Sequence, residues 1–265
     1  FNWNVGANLS DVHNRIIDMK GTTGGSGVIR NQEGNAINSL YGLICLGMIR
    51  TQEQADWMNL NCPQYNMESK PGDLVYKDID DNGKIDDNDK TIMGSTIPRY
   101  TYGFNLGFGW KGLQLNAQFQ GVGKADAYLS GYYTQPCQQG GTFRKEHLDR
   151  WTPETPDGRF PRMSYGLSNT LNTKISTFWM GNASYCRLKN LQLSYTLPDS
   201  VLSKAKIAKV SFFANATNLF TITRYYQGYD PENQYSGGSD GVTTGAFASN
   251  YPLVRSYTFG VELKF

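Results

Sequence analysis

The closing stretch "SYTFGVELKF", residues 256–265, alternates strictly between apolar and polar side chains. One face carries Tyr257, Phe259, Val261, Leu263 and Phe265, and the other carries Ser256, Thr258, Gly260, Glu262 and Lys264. This period of two predicts a β-strand. A soluble chain gains little by ending on an exposed aromatic residue, whereas a membrane barrel places such residues against lipid. The stretch therefore favours a transmembrane β-barrel.

Three further parts of the chain have a similar pattern. Residues 101–110 and 113–120 flank the dipeptide Lys111-Gly112, which predicts a hairpin with a two-residue turn. Residues 189–198 alternate in the same way, and residues 210–226 are rich in β-formers but less cleanly two-faced. The hairpin alone fits a soluble sandwich and a water-filled barrel equally well, and the terminal strand favours the barrel. Residues 199–209 predict a short helical turn.

The composition excludes several function classes. A net charge of +2 gives no electrostatic basis for nucleic-acid binding. No run of about 18 apolar residues is present that could cross a bilayer as a helix. His13 and His147 are the only histidines, and we expect His147 to be exposed to solvent. Glu146 and Asp149 fit a solvated charged face better than a catalytic pair, and no nucleophile, zinc-protease or nucleotide motif occurs, so we predict that the chain is not an enzyme.

Cysteine and aromatic residues leave alternatives open. Four widely spaced cysteines are compatible with one or two disulfides or with free thiols, and their spacing argues against a zinc site. The cysteines are Cys45, Cys62, Cys137 and Cys186. Aromatic residues between the predicted strands could stack on sugars or peptides, but packing within loops is the commoner role. These aromatic residues are Tyr128, Tyr132, Tyr133, Trp151, Phe178, Trp179, Tyr225, Tyr226, Tyr229 and Tyr235.

The direction of the strands can be counted back from the C-terminus. If Phe265 ends on the periplasmic side, residues 227–253 and 123–184 form long outer loops, and the turns at 111–112 and 199–209 are periplasmic. This arrangement follows the barrel habit of short inner turns and long outer loops. It also places the stretch just before Tyr100, including residues 78–89, outside.

The stretch "DIDDNGKIDDND", residues 78–89, matches the ligand positions of an EF-hand-type calcium loop, with Gly83 at the sharp turn and Ile85 as an apolar anchor. The predicted metal ligands are Asp78, Asp80, Asn82, Lys84 through its carbonyl, Asp86 and Asp89. The last ligand is Asp rather than Glu, which shortens the bidentate arm.

Helices do not flank this acidic stretch, because "GDLVYK" before it predicts a strand and "KTIMGSTIPRY" after it predicts a loop. A calcium switch that opens a pair of helices is therefore not expected. We predict a structural Ca²⁺ site of modest affinity within an outer loop. The alternative is a solvated acidic turn that Asx-type hydrogen bonds stabilise without a metal.

Several motifs in order resemble the C-terminal part of SusC/RagA-type TonB-dependent transporters of the Bacteroidetes outer membrane. They include "GDLVYKDIDDNGKIDDNDKTIMGSTIPRYTYGFNLGF", "RWTPETPDGRFPR", "ASYCRLKNLQLSYTLP", "NATNLFTITRYYQGYDPE" and the closing strand. The resemblance covers nearly all of the chain, which we therefore treat as one unit, residues 1–265. Cys186 stands where the family tends to carry a hydrophobic residue.

The resemblance implies an all-β fold, namely the C-terminal strands of an antiparallel transmembrane barrel of about 22 strands with long extracellular loops. It implies that an N-terminal plug and further strands complete the barrel. It also implies import of oligosaccharides or peptides across the bacterial outer membrane, with a SusD-like lid lipoprotein and with energy from TonB. The alternatives are a self-contained, calcium-stabilised outer-membrane barrel that acts as an adhesin, and a soluble glycan-binding sandwich.

Overall fold

The computed structural model describes residues 1–25, 27–129, 136, 143–164, 170–203, 207–225, 229–232 and 253–265. These residues form mostly antiparallel β-structure, with two short α-helices, α1 (Gln52–Asn61) and α2 (Asp199–Leu202). The strands are β1 (Asn2–Asp11), β2 (Ile29–Arg30), β3 (Ser39–Gly42), β4 (Cys45–Met48), β5 (Leu74–Tyr76), β6 (Thr91–Ser95), β7 (Tyr100–Trp110), β8 (Leu113–Gly123), β9 (Asp126–Tyr128), β10 (Met180–Asn182), β11 (Tyr185–Thr196), β12 (Lys209–Thr217), β13 (Thr221–Thr223) and β14 (Ser256–Lys264). In the described part of the chain, no helix has both the length and the apolar character needed to cross a membrane.

Seven strands form one antiparallel sheet, which we call the wall sheet. Its order is β1-β7-β8-β11-β12-β14, and β13 also pairs with β11. The predicted hairpin is present, because β7 and β8 pair from Tyr100–Gly123 to Trp110–Leu113. Lys111 and Gly112 both adopt positive φ, as a two-residue turn between twisted strands requires.

The two faces of the wall sheet differ in chemistry as the alternation predicts. Directly paired residues share a face, so Val5, Leu106, Ala117 and Leu191 lie side by side across four neighbouring strands. Large apolar side chains on this apolar face are exposed, and Phe259 reaches 79%. The opposite, polar face carries amides, hydroxyls and glycines. The wall sheet thus presents an apolar surface too extensive for an ordinary water-soluble protein.

Both short connections lie at the same end of the wall sheet. The backbone N–H of Thr196 donates to the Gly112 carbonyl at 2.9 Å, and that of Ala208 donates to the Lys264 carbonyl at 2.8 Å. At the opposite end lie the strand ends from which the longer connections leave the sheet, namely Asp11, Tyr100, Gly123, Tyr185, Thr223 and Ser256. Short turns at one end and long connections at the other therefore agree with the strand directions that were counted back from the C-terminus.

The predicted strand 210–226 is interrupted. It divides into β12 and β13 because Asn218 adopts a left-handed backbone, with φ of 51°, and the register of β11 shifts between Leu188 and Asn190. A bulge of this kind adds a residue to one strand and increases the local twist. The predicted helical turn is confirmed at α2, although it covers only Asp199–Leu202 of residues 199–209.

Segments 12–99 and 124–184 pack together into a body that we call the cap. Its small sheets are β2-β3-β6, β4-β5 and β9-β10, and its largest buried cluster includes Leu40, Tyr128, Leu129 and Trp179. The predicted strand in "GDLVYK" is present as β5. The prediction of a loop in "KTIMGSTIPRY" is wrong, because Thr91–Ser95 forms β6 by pairing with β3, a partner that is distant in sequence.

Candidate functional site

The acidic stretch 78–89 connects β5 to β6 within the cap. Gly83 has φ of 79°, a conformation that glycine adopts without strain, and it allows the turn at the sixth position. Ile85 is buried in a cluster with Leu43, Leu74 and Tyr76. The loop therefore has a fixed apolar anchor, as the sequence predicts.

Three of the six predicted metal ligands lie together. Oxygen atoms of Asp78, Asp80 and Asp89 are all within 4.8 Å of one another, a spread that one cation can bridge with bonds of about 2.3–2.6 Å. The buried carboxylate of Asp89 accepts hydrogen bonds from the backbone N–H of Ile79 at 2.7 Å and of Asp86 at 2.8 Å. Asp78 accepts from the N–H of Gly83 at 2.8 Å. These backbone donors fix the carboxylates around one point.

Of the other three predicted ligands, Asn82 contacts this cluster directly, whereas Lys84 and Asp86 pair with each other. The Asn82 amide donates to Asp80 at 2.9 Å, and its oxygen accepts from the N–H of Lys84 at 3.0 Å. The Asp86 carboxylate forms an ion pair with Lys84 Nζ at 3.0 Å and accepts from the N–H of Asn88. The carboxylates at the first, third and last ligand positions thus lie together, and Asn82 and Asp86 accept Asx-type hydrogen bonds from backbone N–H groups two residues further along the chain.

The electrostatics of the loop favour a cation. Loss of solvent contact and the neighbouring carboxylates of Asp89 and Asp78 raise the pKa of Asp80. For Asp78, desolvation opposes ionisation, but hydrogen bonds from the backbone N–H groups of Gly83 and Asn82 lower the pKa. Close carboxylates repel one another, and an oxygen-only ligand set of this kind suits a hard divalent cation. The donor set therefore fits Ca²⁺.

Tyr65 links the acidic loop to the second segment of the cap. The Tyr65 hydroxyl donates to Asp87 at 2.9 Å, and the Lys174 ammonium lies 3.9 Å from the centre of the Tyr65 ring. Lys90 forms an ion pair with Asp87 at 2.9 Å. The loop is therefore positioned to hold residues near 65 and 174 against each other.

The predicted exposure of His147 is wrong. His147 is 1% exposed, its Nδ1 accepts from the backbone N–H of Arg144 at 3.0 Å, and its ring edge contacts Phe160. A 3₁₀ turn over Lys145–Asp149 directs the imidazole inward, which the charged sequence around it does not indicate. Glu146 pairs with Arg144 rather than with Asp149, at 3.4 Å. His13 is exposed.

The candidate aromatic residues are mostly structural. Tyr128, Trp179 and Tyr225 are buried, and Phe178 and Tyr229 pack against the same cluster. Trp151 is partly buried, whereas Tyr132, Tyr133, Tyr226 and Tyr235 fall outside the described residues. Cys45, Cys62 and Cys186 are free thiols, and Cys137 is not among the described residues.

The polar face of the wall sheet offers a lining rich in amides. On β1 the side chains of Asn2, Asn4 and Asn8 lie over glycines of β7, which leave room for them. A Cβ atom at Gly107 or Gly109 would collide with these amides. The face therefore provides hydrogen-bond donors and acceptors.

A buried ion network on the same face was not predicted from the sequence. Arg187 of β11 is 3% exposed and pairs with Asp230 at 2.7 Å and with Glu232, which also binds Lys189 at 2.8 Å. The carboxylate of Asp230 accepts hydrogen bonds from the backbone N–H groups of Glu232 and Leu253. The network anchors residues 230–232 to the wall. The sequence feature that could have indicated this network is the pair of basic residues Arg187 and Lys189 on β11, followed later in the chain by the acidic stretch "DPE", residues 230–232.

Comparison with known proteins supplies the family. TonB-dependent receptors P3 and P26 of Formosa agariphila are 29% and 28% identical over 88% and 100% of the chain. The solved RagAB peptide transporter and the RagAB peptide importer in the "open-open" state align with 99% of the chain at 25% identity, with TM-scores of 0.65 and 0.63. The chain is similar to part of a SusC/RagA-type TonB-dependent transporter.

This assignment to the SusC/RagA type confirms the resemblance drawn from the motifs and the all-β barrel fold. The chain spans 23% and 27% of the lengths of the two receptors and 27% of the RagAB chains. No protein-family model matches it. The relatives are named as receptors and importers, which is consistent with a chain that is not an enzyme.

Proposed function

We propose that the chain forms part of the barrel wall of a TonB-dependent importer in the bacterial outer membrane. The observation that carries the proposal is the wall sheet, which has a continuous apolar face, a polar face and both short turns at one end. An exposed apolar face of this kind is stable against lipid, and the opposite face is suited to a polar interior. β1 and β14 each have one edge without a partner strand among the described residues, so further strands of the same protein complete the barrel.

In this proposal the short-turn end faces the periplasm and the cap faces outward. The cap and the described residues 229–232 then stand where a solute arrives, and a SusD-like surface lipoprotein covers them. Energy for import comes through TonB, which contacts a part of the protein outside this chain. RagAB is named as a peptide importer, and oligosaccharides or peptides are the substrate classes that we propose.

Uptake by cells that express the complete protein tests this proposal. We expect deletion of the gene to abolish growth on the oligosaccharide or peptide that the protein imports. Deletion of TonB or dissipation of the proton gradient should have the same effect. Reintroduction of the intact gene should restore growth. Uptake that persists without TonB or a proton gradient would contradict the importer function.

We also propose that residues 78–89 bind Ca²⁺ as a structural ion. The carboxylates of Asp78, Asp80 and Asp89 are its central ligands, and Asn82, the Lys84 carbonyl and Asp86 complete the site. Support comes from the motif spacing and from the three converging carboxylates. Bound Ca²⁺ would offset the repulsion among these groups and hold the loop between the two segments of the cap.

The double substitution Asp78→Ala with Asp80→Ala tests the calcium site. We expect it to lower the thermal stability of the cap in millimolar Ca²⁺ and to have little effect in chelator, because Ca²⁺ stabilises only the form that binds it. Affinities of extracellular calcium modules reach about 10⁻⁴–10⁻³ M, so millimolar Ca²⁺ is the relevant range. The control is Asp18→Ala, which removes an exposed carboxylate from the same segment. Equal destabilisation with and without Ca²⁺ would rule out the metal.

A further inference from the structure

A groove of about 740 Å³ lies between the 3₁₀ turn Lys145–Asp149, strand β10 and the residues after β13. Its volume is within the range of small-molecule and peptide sites. Phe160 and Tyr225, 5% and 7% exposed, form part of its floor and belong to the main buried cluster of the cap. The same cluster packs against Val122, which pairs with Thr101 on the polar face of the wall sheet. The groove therefore borders the side of the wall along which a polar solute would pass.

Charges of both signs line this groove. Lys145, Arg159 and Arg224 are cationic, and Glu146 and Asp149 are anionic. Within the described residues, the side chains of Lys145, Asp149 and Arg224 form no ion pair, and all three are exposed. Leu148, 63% exposed, adds an apolar wall. The groove thus combines free charges of opposite sign with apolar surface.

The free charges and the apolar surface of the groove favour one of the two proposed substrate classes, oligosaccharides and peptides, over the other. A neutral oligosaccharide that covered Arg224 and Asp149 would remove water from both charges and offer no opposite charge in its place, which is unfavourable. The aromatic rings here form a buried floor, whereas stacking on a sugar needs an exposed ring face. A peptide supplies carboxylate, ammonium and apolar side chains together, and complementary charges favour such a partner over a neutral one.

We infer that this groove binds peptides that carry both acidic and basic groups. Arg224 binds a carboxylate of the peptide, and Asp149 binds an ammonium or guanidinium group. The inference rests on the proposed importer function, since it names the substrate class of that importer.

Binding to the purified complete protein in detergent tests the inference. The probes are a short peptide that contains Lys and Asp, the same peptide with Gln and Asn in their place, and maltoheptaose. We expect the charged peptide to bind most tightly, and Arg224→Ala to weaken it roughly fivefold, as for loss of one exposed ion pair. Asp149→Ala should weaken it similarly.

Arg15→Ala is the matched control, because it removes an exposed arginine of the cap that does not line the groove, and it should leave binding unchanged. Equal or tighter binding of the uncharged peptide or of maltoheptaose would overturn the inference. So would an equal loss with Arg15→Ala and Arg224→Ala, or no binding of the charged peptide. Tight binding of the charged peptide with uptake independent of TonB would instead refute the importer function and leave the groove assignment standing.

Discussion

Leu106→Arg is expected to destabilise the folded barrel in a bilayer by about 2–4 kcal/mol, the cost of an arginine on the lipid face near the membrane centre. Leu106 is 43% exposed in the middle of β7, between Val5 on one neighbouring strand and Ala117 on the other. Because all three side chains are apolar and lie on one face, no neighbour could accept hydrogen bonds from the guanidinium. The free energy of unfolding from lipid vesicles, measured in denaturant, gives this cost.

Asn105→Arg is the matched control for that substitution. Asn105 precedes Leu106 on the same strand but lies on the polar face, beside Gln118. We expect its cost to be below about 1 kcal/mol, because a lumen-facing charge remains in contact with water and polar groups. If both variants lose the same stability, the apolar face does not contact lipid.

Asp73→Ala is expected to destabilise the cap by about 3 kcal/mol, the low end of the cost of removing one partner from a buried ion pair, because the side chain of Arg162 is 30% exposed. Asp73 is 1% exposed and accepts from Arg162 Nε at 2.6 Å and from a second guanidinium nitrogen at 3.1 Å. Its carboxylate also accepts from the Asn172 amide and from the backbone N–H of Lys70, both at 2.9 Å. The substitution removes the acceptor that these donors share, and the Asn172 amide keeps only its longer bond to the Arg162 carbonyl, at 3.3 Å. Hydrogen exchange of the cap amides in the complete protein measures the loss.

Asp11→Ala provides the comparison for Asp73. Asp11 forms the same two-bond pair with Arg99, at 2.9 and 3.2 Å, but both side chains are more than 40% exposed. Water screens exposed ion pairs, so they add little to stability and this variant should behave nearly as the unmodified protein. Similar losses in the two variants would show that burial does not set the strength of the Asp73 pair.

Strands β7, β8, β11, β12 and β14 of the wall sheet were predictable because their information is local, whereas β1 was not predicted. Alternation over residues 101–120 and 256–265 identifies both the strand and the face of each side chain, and Lys111-Gly112 fixes the hairpin register. The acidic loop was equally readable, since the ligand spacing, Gly83 and Ile85 all lie within twelve consecutive residues.

The cap was harder to predict because its contacts join distant residues. The Asp73–Arg162 pair spans 89 positions, and Thr91–Ser95 becomes a strand only through its pairing with β3. His147 is surrounded by charged neighbours in sequence, yet its burial depends on Phe160. Asn218 interrupts a β-rich run through a backbone conformation that composition does not reveal. Sequence patterns describe periodicity within one helix or strand. The ion pair, the pairing of β6 and the burial of His147 depend on contacts between elements that are distant in sequence, so these patterns do not reveal them.

Accessibility of spin labels at Asn105, Leu106, Leu191 and Gln192 tests the central claim most directly. Each position would be changed singly to a labelled cysteine in the complete protein, in a variant without the native cysteines and reconstituted in vesicles. We expect labels at 106 and 191 to collide more with oxygen, which concentrates in lipid, and labels at 105 and 192 to collide more with a water-soluble nickel complex. Equal access of the nickel complex to all four positions would contradict a membrane-spanning wall.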